Sequence, residues 1–244
     1  MNGPLRYEGG GDGVVTLTLD RPEARNALNF ALCAALLAAC RRAEAEGARL
    51  VFVRAAGPVF CAGADVKERA GMDEDAVRAR RLRAFAAYAA LEGLPMPTVA
   101  VVQGPAVGSG AEIAAACDFI VATPAASFRT PEALRGTVGA TQRLPRILGR
   151  RLAKDMMFTG RSLSAEEALR HGLVSRVAAP DALEEALAGI AAAVAAAPPG
   201  ALRLAKRCVD EGVELEPRGA LATEILAIEE NLAEGEWRRG MRAP

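Results

Sequence analysis

Short β-branched apolar runs alternate with longer stretches whose apolar residues recur at helical spacing. "VVTLTL" (14–19) alternates apolar and polar positions and predicts a strand. The polar stretch "DRPEARNAL" follows as a loop, and residues 30–47 carry a helical repeat that closes near Gly47. "RLVFVRA" (49–55) predicts a second strand, and "GPVFCAGADVKERAG" a short glycine-punctuated connection. A helix over 74–92, a buried strand over 97–104, a helix opening at "GSGAEIAAAC" and a strand at "DFIVAT" come next. This alternation predicts a largely parallel sheet with helical crossovers. Beyond residue 140 the pattern turns helical, over 141–149, 151–159, 164–171, 182–197, 201–212 and 217–235, with one short strand at 172–178. The expected design is an α/β core over 1–198 and a helical part over 199–244, hinged at "APPGA".

Composition narrows the function classes. The 244 residues, 51% of them hydrophobic, suffice for one large domain or a domain with a helical appendage. Lys+Arg and Asp+Glu both number 30, so no net field attracts nucleic acid or an anionic membrane. Aromatics make up 4%, which argues against base stacking. The five cysteines show no CxxC or Cys/His spacing, so no metal is expected. They read as packed thiols in a reducing cytoplasm. "MNGPLRYEGG" lacks the basic and apolar regions of a signal peptide, and "ALAGIAAAVAAA" is too short to span a bilayer, so a soluble protein is expected.

Two carboxylates stand among small residues at expected helix starts. "SGAE" matches a capping box, with Ser109 as N-cap and Glu112 three residues on. The same stretch also reads as a cradle for a ligand oxyanion, because glycines admit close approach and a helix start leaves N–H groups free. In "TPEAL", Thr130 reads as N-cap and Pro131 as the first-turn proline. Glu132 is then either a solvated helix terminus or a second carboxylate that converges on Glu112 and divides acid and base work with it. "VFCAGADVKE" (59–68) suits close backbone approach, or an ordinary strand-to-helix turn. "VGSGA" is not a nucleophile elbow, no phosphate-loop pattern is present, and His171 reads as a helix-end cation. "RARRLR" (78–83) reads as an exposed helix face.

Taken in order, "DRPEARNALN", "VFCAGADVKE", "PTVAVVQGPAVGSGAEIAAACDF", "SFRTPE", "TQRLPRILG" and "LSAEEALRHGLVSRV" resemble the enoyl-CoA hydratase/isomerase (crotonase) superfamily. The resemblance implies a crotonase-like spiral of ββα units with a helical C-terminal part that assembles trimers or dimers of trimers. It implies an acyl-CoA thioester as substrate, with coenzyme A arriving on the substrate and no separate cofactor. By position, the backbone N–H groups of Ala64 and Ser109 match the family's oxyanion hole, and Glu112 and Glu132 match the two glutamates that hold one water in its hydratases. Arg25, Ala62, Asp65, Val66 and Lys67 match the coenzyme A-binding loops. Two departures stand out: "GTVGATQRL" is a shorter loop than the family's, and the chain closes at "EWRRGMRAP" without the usual basic and aromatic tail.

The resemblance therefore implies addition of water to a 2-enoyl-CoA. Alternatives are another crotonase reaction, as isomerase or acyl-CoA hydrolase, and an acyl-CoA-binding protein without turnover. RNA binding is a further rival against which the balanced charge weighs.

Overall fold

Strand β3 (Leu50–Ala55) sets the architecture, because its successive side chains enter two different cores. Val51 and Val53 join Leu17, Leu19, Ala100 and Val102 on one face of a sheet. Leu50 and Phe52 join Val99, Val101 and Val121 on the other. A strand buried on both faces needs covering layers on both sides, as parallel sheets do. Helices α1 (Phe30–Ala45) and α3 (Glu74–Glu92) contribute Leu32, Leu36, Ala87 and Leu91 to the first core. Helix α7 (Leu183–Ala196) closes the second with Leu183, Leu187 and Ile190.

The computed structural model describes residues 3–240. Its six-stranded sheet has the order β1 (Leu5–Gly9), β2 (Val14–Leu19), β3, β4 (Thr98–Val102), β6 (Phe119–Ala122) and β9 (Arg176–Val177). Only the β1–β2 pair is antiparallel, so the crossovers expected from the sequence are present. A second sheet joins β5 (Pro105–Val107), β7 (Ser127–Arg129) and β8 (Ser162–Ser164). Single bridges, Leu28 to Ala64 and Cys61 to Ala106, continue this layer through the loops. Strands β2, β3, β4 and β6 of the first sheet thus each hand the chain to a short segment of the second layer, which is the ββα spiral. The chain between them carries α2 (Val66–Arg69) and α4 (Ser109–Ala115).

Helix α5 (Arg143–Thr159) covers the expected helices 141–149 and 151–159; the break falls at Gly149, whose φ of 76° and ψ of 155° are not helical. After α6 (Ala165–Arg170) and α7, the chain bends by 104° at Pro198-Pro199 into α8 (Pro199–Gly212). Helices α8 and α9 (Pro217–Glu234) pack on each other, and α10 (Trp237–Gly240) follows. The expected chain end at 241–244 lies outside the described residues. Among those described, no single helix is long and apolar enough to cross a membrane.

Three local expectations are corrected. Ser109 does not cap α4: Gly108 holds the N-cap position without a side-chain bond, and Glu112 N–H donates to Gly108 O at 3.0 Å. The cause is tertiary, since Gly108 N–H is used by Arg129 O at 2.8 Å where β5 meets β7. Thr130 caps nothing either; it is fully buried with no partner for Oγ1, and the helical turn after it runs only over Ala133–Arg135. Arg80, in the supposedly exposed "RARRLR" face, is 3% exposed; it pairs with Glu68 at 3.1 Å and donates to Leu28 O.

Candidate active site

The site forms where three strand ends of the second layer meet the first turn of α4. Leu28 N–H donates to Gly63 O at 2.8 Å, and Leu28 O accepts from Asp65 N–H at 3.0 Å. A parallel bridge of this kind turns the N–H of the intervening residue, Ala64, to the opposite edge. That edge faces α4: a Cβ on Gly63 would lie 2.9 Å from Val107 O and 3.9 Å from Ser109 N. Ser109 is the first residue of α4, so its N–H has no helical acceptor. Among the described residues neither the Ala64 nor the Ser109 N–H has a hydrogen-bond acceptor.

Both glutamates enter the same small chamber. It holds about 70 Å³ and is walled by Ala64, Tyr88, Ser109, Glu112, Glu132 and Gly139. Glu112 is 6% exposed and its Oε1 has no partner in the protein; Oε2 lies 3.4 Å from Arg143 Nη1. Glu132 Oε2 is likewise buried without a partner. Its side chain is seated between two glycines: a Cβ on Gly108 would overlap its Oε1, and one on Gly139 would lie 2.9 Å from its Cγ. An unpaired buried acceptor costs about 1–3 kcal/mol. Two in one chamber are therefore not explained by packing.

The electrostatics set these carboxyls apart from surface acids. Burial pushes Glu112 above the usual carboxylate range; Arg143 opposes the rise, and the charges of Glu132 and Glu92 add to it. Burial also raises Glu132, opposed by its backbone amide, Arg135 and Arg81. The buried Tyr88 phenol is pushed up, chiefly by burial, and stays protonated. Burial lifts the thiol of Cys61, behind the cleft, to about 12, so no thiolate nucleophile stands here.

Outside the chamber lies a hollow of about 320 Å³ walled by Ala62, Ala64, Val66, Arg69, Gly108 and Glu132. Beyond Glu112 lies a cleft of about 550 Å³ bordered by Phe85, Ala89, Val138, Ala140 and Arg143. Ala62 N–H donates to Arg25 O at 3.0 Å, which sets Arg25 beside the 62–67 segment. Arg25, Val66 and Lys67 are exposed. Asp65 is not: its carboxylate accepts from Lys67 and Glu68 N–H and pairs with Arg21 at 3.0 Å. Burial works against that charge, but these donors outweigh it and hold the carboxyl below its usual range.

Sequence reasoning missed Arg143, Tyr88, Arg81, Arg69 and Arg135, all on the walls of these three spaces. Arg143 lies inside "TQRLPRILG", a stretch quoted for its pattern but not for its charge. Arg81 reaches across to the short loop, donating to Val138 O at 2.7 Å and to Thr137 Oγ1.

The fold and its cleft define the class: an enzyme of the crotonase superfamily. The family model described as enoyl-CoA hydratase/isomerase matches residues 9–243. An enoyl-CoA isomerase/hydratase of Mycosarcoma maydis is 38% identical over 245 residues, covering 95% of this chain and 89% of that protein. The human enoyl-CoA hydratase domain-containing protein 2, mitochondrial, is 37% identical over 240 residues, covering 95% and 82%. The solved enoyl-CoA hydratase of Bacillus anthracis superposes with a TM-score of 0.94 at 35% identity, covering 98% of this chain and 95% of that one. The chain belongs to the enoyl-CoA hydratase/isomerase family.

Proposed function

We propose that the protein hydrates 2-enoyl-CoA thioesters. The observation that carries this reading is the pair of buried, unpartnered carboxylate oxygens, Glu112 Oε1 and Glu132 Oε2, in one chamber with Ala64 and Ser109. One water accepted by both would satisfy them. The thioester oxygen would accept from the Ala64 and Ser109 N–H groups, which stabilise the enolate that forms as charge leaves the double bond. Glu112, as carboxylate, takes a proton from the water while its oxygen bonds to C3. The electron pair of the double bond moves to C2 and the thioester oxygen. As the enolate collapses, C2 takes the proton of Glu132, and proton exchange resets the pair. Raised carboxyls serve this division, because a carboxyl above its usual range holds the proton that an acid must donate more readily than a surface acid does.

The coenzyme A moiety would lie over the outer hollow, whose walls include Ala62 and Val66 but not Arg25, Asp65 or Lys67. Arg25 and Lys67 are exposed cations with no ion-pair partner among the described residues, suited to phosphates. Ala62, Asp65 and Val66 would offer backbone contacts, since the Asp65 side chain is committed to Arg21 and its helix cap. The same reading includes a homo-oligomer, a trimer or a dimer of trimers. Val213 (75% exposed) and Leu226 (68%) leave α8–α9 with uncovered apolar surface.

Product analysis tests the proposal. Crotonyl-CoA should yield 3-hydroxybutyryl-CoA; release of free coenzyme A would make the protein a hydrolase. A 3-enoyl-CoA converted to the 2-enoyl isomer, with no hydration, would make it an isomerase.

A further inference from the structure

Arg143 opens α5 and touches three groups at once. Nε and Nη2 hold Glu92 of α3 at 3.1 and 2.6 Å. Nη1 lies 3.4 Å from Glu112 Oε2, and the guanidinium stands 5.7 Å from the centre of the Tyr88 ring. Its side chain is 18% exposed, so the pairing is only partly screened by solvent. We propose that Arg143 is the positioning residue of the site: it pairs with Glu112 Oε2, leaves Oε1 free in the chamber, and is itself held by Glu92. The inference rests on the hydratase reading for its kinetic consequence, but not for its electrostatic one.

The charges around Glu112 define what the pair controls. From α3 come Arg80, Arg81, Tyr88 and Glu92; from the end of α2, Arg69; from the segment after β7, Glu132; from α5, Arg143 and Arg146; and from the turn after α8, Glu214, which pairs with Arg146 at 2.8 Å. Strands β4, β5 and β6 carry no ionisable residue. Of these groups only Arg143 bonds the Glu112 carboxylate. Burial and the charges of Glu132 and Glu92 raise the Glu112 pKa, and Arg143 holds it down. Removing Arg143 therefore raises Glu112 further, so the base is lost at a higher pH. Removing the charge of Glu92 acts in the opposite sense, because it takes away one repulsion and leaves Arg143 to Glu112 alone. A purely structural α3–α5 clamp predicts the same effect from both changes, since each breaks the same bond.

The test measures Arg143→Met, Arg143→Lys and Glu92→Gln in the full-length protein, with folding checked by circular dichroism. The first readout needs no substrate: the carboxyl ¹³C resonance of Glu112, assigned by its loss in Glu112→Gln, is titrated with pH. Its midpoint should rise in Arg143→Met, stay near wild type in Arg143→Lys and fall in Glu92→Gln. The second readout is hydration across pH. An opposite charge within about 4–6 Å moves a carboxyl by about 1–3 units, so Arg143→Met should lose about tenfold or more activity at pH 5.5 relative to its loss at pH 8.5. Midpoints that do not move, or that move the same way in Arg143→Met and Glu92→Gln, overturn the proposal. If no variant and no wild type hydrates any enoyl thioester, the hydratase reading fails while the resonance still decides the role of Arg143.

Discussion

Gly108 is where fold and chemistry meet, and Gly108→Ala should separate them. Its φ of 53° and ψ of −111° lie where an L side chain is strained. Strain of this kind costs about 1–3 kcal/mol. In a chain of this size that lowers the melting temperature by about 2–4 °C per kcal/mol, or about 2–12 °C in all. The new Cβ would also overlap Glu132 Oε1 and lie 3.3 Å from its Cδ. The carboxylate has to move, and a displacement of about 1 Å at a reacting group can cost about 10²-fold. Gly47→Ala provides the control. Gly47 also has a positive φ, 68°, but no atom lies within 4 Å of its Cβ position, and it ends α1 away from the cleft. It should lower the melting temperature and leave turnover per folded molecule unchanged. The assay pairs thermal melting with loss of the conjugated absorbance of a short 2-enoyl-CoA. Wild-type turnover in folded Gly108→Ala would refute the seating of Glu132 against this backbone.

Ala64→Pro should abolish hydration, because proline removes the N–H assigned to the thioester oxygen; a folded variant that still turns over places that donor elsewhere. Ser109→Ala keeps its backbone N–H, and Ser109 caps no helix in the structure, so turnover should stay within a few-fold of wild type and melting should barely change. A folded but inactive Ser109→Ala would instead make the hydroxyl, beside the Tyr88 phenol, part of the chemistry.

The long periodic elements were legible from sequence. The helix over 74–92 and the strand over 14–19 are observed at those bounds, because each carries its own apolar pattern. Strands β5, β7 and β8 were not, since three residues carry no period and pair only with partners distant in the chain. The capping box at "SGAE" misled for the same reason. Its local pattern is sound, but the register of β5 against β7 uses the Gly108 N–H and starts the helix one residue earlier than a Ser109 cap requires. Arg80 is buried because Leu28 O and Glu68, on other elements, satisfy it. Glu112 and Glu132 stood out as carboxylates at expected helix starts, the backbone roles of Ala64 and Ser109 came from resemblance, and the structure gathers all four around one chamber. Arg143 went unread because its partners, Glu92 and Glu112, meet it only once α3, α4 and α5 pack together.

The central claim, that two carboxylates share one water, is tested most directly by hydration rates of Glu112→Gln, Glu132→Gln and the double variant. Each single change should cost about 10²–10⁴-fold, as expected for loss of a general acid or base. The double change should cost little more than the worse single one, because groups that act as a unit are not additive. All three should still bind acyl-CoA, since the assigned oxyanion donors are backbone groups. Near-normal hydration by folded Glu112→Gln, or losses that multiply in the double variant, would contradict the shared-water site.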